Sequence, residues 1–164
     1  MKYAIIRDID IVNGDGVGVS IFFQGCSHHC KGCFNQETWN FNDGKDFTEK
    51  VKNEFIKLCK RDNIDFISLL GGEPFDQPLG ELLSLLKELK ELNKPIYVWT
   101  GYLFEDLWEN ENPIYRSIFQ YITYLIDGEF QENKKDLTLH LRGSSNQRII
   151  DVQKTLLNDK IFEI

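Results

Sequence analysis

The stretch DFISLLGGEP, residues 65–74, decides the fold. Asp65–Leu70 is a short, mostly apolar run, and Gly71-Gly72-Glu73-Pro74 stops it, so it reads as a buried strand closed by a turn. A helical pattern follows: across Leu79–Leu92, Leu79, Leu82, Leu83, Leu86 and Leu89 recur at the spacing of one helix face. Pro95–Trp99 (PIYVW) then reads as another strand. Strand, helix and strand in succession imply a βαβ unit with its two strands parallel.

Working outward, the rhythm continues. Leu103–Trp108 and Ile114–Tyr121 read as short helices, Ile122–Ile126 (ITYLI) as a strand, and Arg148–Val152 as a last one. Upstream, Thr48 is suited to cap a helix to about Lys60 that puts Val51, Phe55, Leu58 and Cys59 on one face. Residues 35–46 are polar and punctuated by glycine, as loops are, and Val17–Phe23 (VGVSIFF) is a β-branched and aromatic strand. About five strands are too few for a closed eight-stranded barrel. The expected fold is therefore α/β, an open partial (βα) barrel with a mainly parallel, curved sheet. No repeat, low-complexity segment or linker divides residues 1–164, so a single domain is expected.

Composition narrows the function. Of 164 residues, 41% are hydrophobic and 27% charged, an ordinary balance for a globular chain. The net charge of −7 argues against a nucleic-acid face or a polybasic membrane patch. MKYAIIRDID, with charges at positions 2, 7, 8 and 10, lacks the apolar core of a signal peptide, and no apolar run reaches membrane-spanning length. A cytoplasmic protein is expected, in which clustered cysteines mean metal or catalysis more often than disulfides.

In parallel α/β folds, sites gather at the C-terminal ends of the strands. The unusual loops fall there: Cys26–Cys33 after one strand, Gly71–Pro74 after the next, then Thr100-Gly101 and Asp127-Gly128. GCSHHCKGC, residues 25–33, holds three of the four cysteines in a C-x3-C-x2-C spacing. The fourth, Cys59, lies 26 positions beyond Cys33 on the apolar face of its helix, where a small core residue is the plain reading. Three thiolates at one site suit an iron–sulfur cluster with one iron left open. A Cys3His zinc site using His28 or His29 is the competitor, though its ligands would crowd into eight residues; a redox thiol site is the third option. The histidines otherwise read as exposed loop residues or as donors behind the ligands.

The cysteine stretch resembles the radical S-adenosylmethionine family, whose mark is C-x3-C-x2-C holding a [4Fe–4S] cluster. NGDGVGVSIFFQGCSHHCKGCFNQETWNF, LLGGEPFDQP, VWTGY (98–102), LIDGEF (125–130) and RGSSNQRIIDVQ (142–153) resemble, within it, the anaerobic ribonucleotide reductase-activating subgroup, related to the pyruvate formate-lyase activases. The resemblance implies that Cys26, Cys30 and Cys33 ligate the cluster and that S-adenosyl-L-methionine chelates the open iron. It further implies that Gly32, Cys33 and Phe34 lie against the adenosine and that Gly71, Gly72 and Glu73 meet the methionyl ammonium. Adjacent glycines let backbone approach a ligand, and a carboxylate suits an ammonium; without the resemblance, GGEP is a turn. Thr100 either caps its strand or contacts the cofactor, and Asp127 is a secondary candidate.

The implied activity is reductive cleavage of S-adenosylmethionine, with an electron from a donor such as flavodoxin, to place a glycyl radical on the reductase's catalytic subunit. Activation of a different glycyl-radical enzyme and a zinc-stabilised binding module are the alternatives. Two positions depart from the subgroup's NGPGxR: Asp15 replaces proline and Gly18 replaces arginine. RGSSNQR reads either as a capping loop or as a pair of arginines that hold a carboxylate.

Overall fold

In the computed structural model, which describes residues 1–164, every strand and helix expected between Val17 and Val152 is present, its ends shifted by one or two residues. Seven strands form one open sheet: β1 (Lys2–Asp10), β2 (Gly18–Phe23), β3 (Lys45–Asp46), β4 (Phe66–Gly71), β5 (Ile96–Trp99), β6 (Tyr124–Asp127) and β7 (Arg148–Asp151). Their order is β3-β1-β2-β4-β5-β6-β7. The helices are α1 (Glu49–Cys59), α2 (Leu79–Lys90), α3 (Phe104–Trp108), α4 (Ile114–Phe119) and α5 (Val152–Asn158).

The expectation of about five strands in a mainly parallel sheet needs correcting. Only the middle four, β2, β4, β5 and β6, run parallel; β1 is antiparallel to β2 and to β3, and β7 to β6. The connections supply the reason. A parallel neighbour requires a crossover, and α1, α2 and the pair α3–α4 provide three of them. Residues 11–17 and 128–147 contain no α-helix, so the chain there returns alongside the strand it has just left.

The middle strands are buried on both faces, which is why they read as continuous apolar runs. One face carries Val19, Ile21, Phe23, Ile67, Leu69, Val98, Leu125 and Ile150 into a core of 25 buried residues with the helices. The other carries Phe66, Tyr97, Ile126 and Ile149, covered in part by Leu141. α1 begins as expected, with Thr48 Oγ1 accepting from the Val51 amide at 3.4 Å, and α2 buries Leu82, Leu85, Leu86 and Leu89.

Strand β1 escaped the sequence reading because its residues alternate weakly: most are half-buried or exposed, with Ile9 61% exposed. It is fixed instead by Asp10 at its end. This buried carboxylate accepts from the Val12 and Asn13 amides, the Asn13 side chain and Ser20 Oγ. Burial alone would raise its pKa; the Ser20 and Asn13 hydrogen bonds outweigh it and hold the group below the ordinary value.

Candidate functional site

Because β2, β4, β5 and β6 are parallel, the loops after them share one rim, and they enclose a cavity of about 130 Å³. All three clustered thiols, of Cys26, Cys30 and Cys33, line it, together with Gly71, Gly72, Glu73, Thr100 and Gly101. A larger cavity of about 580 Å³ adjoins it, sharing Cys33, Asn35, Leu70, Trp99, Phe130 and Gln147. Together they fall within the size range of small-molecule sites. Cys59 is fully buried in the main core, and burial pushes its thiol up to about 12.

Backbone hydrogen bonds stitch the cysteine loop to its neighbours. The Gly72 amide donates to Phe23 O at 2.9 Å and the Glu73 amide to Gly25 O at 2.8 Å. Gly25 and Cys26 donate in turn to the carbonyls of Thr38 and Trp39. The Ser27 amide donates to Asp76, whose other oxygen accepts from Tyr102 Oη. Within the loop, Cys33 N–H bonds Cys30 O, and the Asn35 amide points at Cys33 Sγ, 3.4 Å away. The thiols are thus held at the rim by backbone rather than by one another.

The glycine pair closing β4 has a packing cause of its own. Gly71 has φ +102°, and a Cβ there would lie 2.6 Å from the Phe22 backbone. A Cβ on Gly72 would stand 2.3 Å from the Gly25 carbonyl oxygen. Close approach to β2 and a left-handed φ therefore suffice to require Gly71, and close approach to the cysteine loop suffices for Gly72. Gly72→Ala is expected to push Gly25 and Cys26 aside, costing about 1–3 kcal/mol and lowering the iron bound on reconstitution. A urea midpoint and an iron assay measure the two effects, and wild-type values in both would contradict the packing argument.

Glu73 is almost fully buried; one carboxylate oxygen accepts from the Phe75 amide at 3.0 Å and the other from the Gly101 amide at 2.8 Å. His28, expected on an exposed loop, instead wedges between Glu73 at 3.2 Å and Glu129 at 2.8 Å, its ring edge-on to Tyr102. Burial alone would lower its pKa, but the two carboxylates together raise it to about 9. His29 stacks on Trp39 at 4.8 Å. His28 lines the thiol cavity but is held by two carboxylates, His29 is stacked on Trp39, and neither is placed as the fourth ligand of a Cys3His site.

Cys26 and Cys30 are not primed as free nucleophiles either. Burial pushes Cys26 up to about 11, with the charges of Glu73 and Asp76 adding to it. Cys30 is raised by burial and by Glu129. Thiols held this way become thiolates when a bound cation compensates the charge. A group of thiols around one cavity, with no disulfide among them, fits a metal–sulfur cluster.

The remaining expected residues divide. Phe34, 52% exposed, stands at the mouth of the larger cavity against Phe130. Thr100 lines the small cavity and also accepts from the Tyr102 amide. Gly32 takes a left-handed conformation (φ +75°) in the turn between Cys30 and Cys33, under Glu132, and does not line the cavity. Asp127 is also absent from the lining: fully buried, it accepts from the Phe104 amide and pairs with Arg148, which also forks onto Glu105. The RGSSNQR segment is thus a capping loop, with Gln147 accepting from Gly143 and Ser144 and donating to Gly128 O, and a carboxylate clamp through Arg148 alone, since Arg142 donates to Gln147 O instead.

A family model described as a 4Fe-4S single cluster domain matches residues 12–150. The anaerobic ribonucleoside-triphosphate reductase-activating protein of Pasteurella multocida is 38% identical over 154 residues, 91% of this chain and 96% of that protein. Its namesake in Escherichia coli K12 is 37% identical, covering 90% and 96%, and the one from Enterobacteria phage T4 36%, covering 91% and 93%. The chain belongs to the anaerobic ribonucleoside-triphosphate reductase-activating family.

Against that family's NGPGxR, both departures have a local explanation. Gly18 packs on Phe66, and a Cβ at position 18 would lie 2.3 Å from that ring, so an arginine there requires Phe66 to move. Asp15 accepts from Tyr97 Oη at 3.0 Å and pairs with His140. An arginine still reaches the larger cavity of this activating-family chain, from β1: Arg7 lies over the Phe22 ring, 4.6 Å from its centroid. Besides His28, sequence reading missed Trp39 and Gln147 as cavity residues, although both stand in the motifs that carried the resemblance.

Proposed function

We propose that this chain activates anaerobic ribonucleotide reductase by generating a glycyl radical on its catalytic subunit, using S-adenosylmethionine and a [4Fe–4S] cluster. The observation that carries the reading is the gathering of Cys26, Cys30 and Cys33 with the Gly71-Gly72-Glu73 turn around one cavity, with His28 paired to Glu73 and Glu129 and His29 stacked on Trp39. The 4Fe-4S family match and the activating-protein relatives support it.

When bound, the cluster supplies the single electron that cleaves S-adenosylmethionine reductively, and an external donor such as flavodoxin replenishes it. Cys26, Cys30 and Cys33 are the residues that would hold the cluster, and with three thiolates for four irons one iron would stay open to S-adenosylmethionine. Glu73, its carboxylate fixed by two backbone amides, faces the methionyl ammonium without having to reorganise, and Gly71 and Gly72 bring backbone to the same end. Cys33 and Phe34 would border the adenosine, Gly32 supplying the left-handed turn that leads into them, and Thr100 lines the same small cavity as Cys33. Asp127 serves from behind, fixing the start of α3 and the Arg148 clamp. The sheet curves as a partial barrel, with the cofactors at the C-terminal strand ends where water can be excluded. We place the protein in the cytoplasm with neither nucleic acid nor membrane as partner; no helix is long and apolar enough to cross a membrane.

Anaerobic reconstitution tests this directly. Iron and sulfide are expected in near-equal amounts, and the dithionite-reduced protein is expected to convert S-adenosylmethionine to methionine and 5′-deoxyadenosine. Stoichiometric zinc without sulfide, or a loaded cluster that leaves the cofactor intact, would contradict the reading.

A further inference from the structure

Four side-chain polar atoms are buried without a hydrogen-bond partner: His28 Nε2, Trp39 Nε1, Arg142 Nε and Asn146 Oδ1. Three belong to groups satisfied through another atom. His28 is bonded through Nδ1 to Glu129, with its Nε2 still 3.2 Å from the Glu73 carboxylate, Arg142 through Nη1 to Gln147 O, and Asn146 through Nδ2 to Glu129 O. Trp39 has no second polar atom, because indole carries a single donor and no acceptor. A donor buried this way costs free energy, and such a group in a native fold calls for a missing acceptor. Trp99, by contrast, donates its indole N–H to Leu141 O at 3.1 Å.

Trp39 is also fixed where an acceptor would arrive. Its carbonyl accepts from the Cys26 amide at 3.1 Å, its ring stacks on His29, and it lines the cavity with all three thiols. Of the acceptors that the proposed function brings to this cavity, cluster sulfides and cysteine thiolates are held by the loop that the Cys26 amide ties to Trp39, whereas S-adenosylmethionine has no such tie to it.

We propose that Trp39 is a positioning residue whose indole N–H donates to a sulfur of the bound cluster, a sulfide or a cysteine thiolate, and raises the cluster's reduction potential. A hydrogen bond to sulfur withdraws negative charge from the cluster and so favours the state with the extra electron. The inference rests on the cluster reading above.

Trp39→Phe keeps an aromatic ring to stack on His29 and removes only the donor. In the reconstituted variant the cluster is expected at wild-type content. At a fixed solution potential near the wild-type midpoint, its reduced-to-oxidised ratio is expected to fall about threefold, which is about 28 mV for a one-electron couple at 59 mV per tenfold. An unmoved potential in a loaded variant would overturn the proposal while leaving the cluster reading intact. Wild-type protein that takes up zinc instead of iron and sulfide would overturn both.

A second measurement does not depend on the variant folding. Wild-type protein labelled with ¹⁵N at the tryptophan indoles is expected to show a nitrogen hyperfine coupling to the reduced cluster by pulsed electron paramagnetic resonance. Absence of that coupling would overturn the proposal.

Discussion

Alanine at Cys26, Cys30 or Cys33 is expected to abolish cluster binding in each case, whereas alanine at Cys59 leaves iron and sulfide content at the wild-type level. Three thiolates on one cavity are the minimum that leaves a single iron open, so losing any one leaves two ligands and no stable cluster. Cys59 faces the core from the end of α1, and its loss is a packing change worth about 1 kcal/mol. Iron, sulfide and visible absorbance of the four reconstituted variants separate the roles. A cluster lost with Cys59, the fold being intact by circular dichroism, would mean that the ligand set is wrong.

Arg148→Met is expected to be the most destabilising single change at the rim. Arg148 bonds both oxygens of fully buried Asp127 and forks onto Glu105. Methionine fills similar volume but leaves the Asp127 charge in the interior with only the Phe104 amide, at a cost of about 3–5 kcal/mol. Asp127→Asn combined with Arg148→Met removes the stranded charge and is expected to recover part of the loss. Urea midpoints of the single and double variants measure this; a double variant no more stable than Arg148→Met would contradict it. The clamp also carries a pH signature. The Arg148 hydrogen bonds hold Glu105 below its ordinary value, so the stability they give is present above the unfolded carboxylate pKa and is lost as pH falls through the folded one. Arg148→Met is expected to flatten that acid limb.

The middle of the sheet was legible because β2, β4, β5 and β6 are buried on both faces, so apolar runs and glycine or polar punctuation mark their ends. The antiparallel flanks were not. β1 carries charges among its apolar residues because neither face is fully covered, and β3 is two residues long. α5 starts directly from β7, with Asp151 both ending the strand and capping the helix, so no loop announces it. In the candidate site, cysteine spacing and GGEP pointed to loops that the structure does bring to one rim, since parallel strands put their ends together. The placement of His28 between Glu73 and Glu129, 45 and 101 positions away in sequence, depends on three loops meeting and leaves no local pattern. The partner of Asp127, Arg148, is 21 positions on in RGSSNQR, a segment that reads as able to hold a carboxylate without saying which one, and the Asp-Gly dipeptide says only that a turn follows.

The central claim is that this chain delivers a radical to the reductase, and electron paramagnetic resonance tests it most directly. Reconstituted protein, dithionite, S-adenosylmethionine and anaerobic ribonucleotide reductase are mixed, and the spectrum is read for a glycyl radical on the reductase. A glycyl doublet is expected with wild-type protein and none with the Cys33→Ala variant. Cofactor cleavage by a cluster-loaded protein with no glycyl signal on the reductase would contradict the assignment and point to a different glycyl-radical enzyme as its partner.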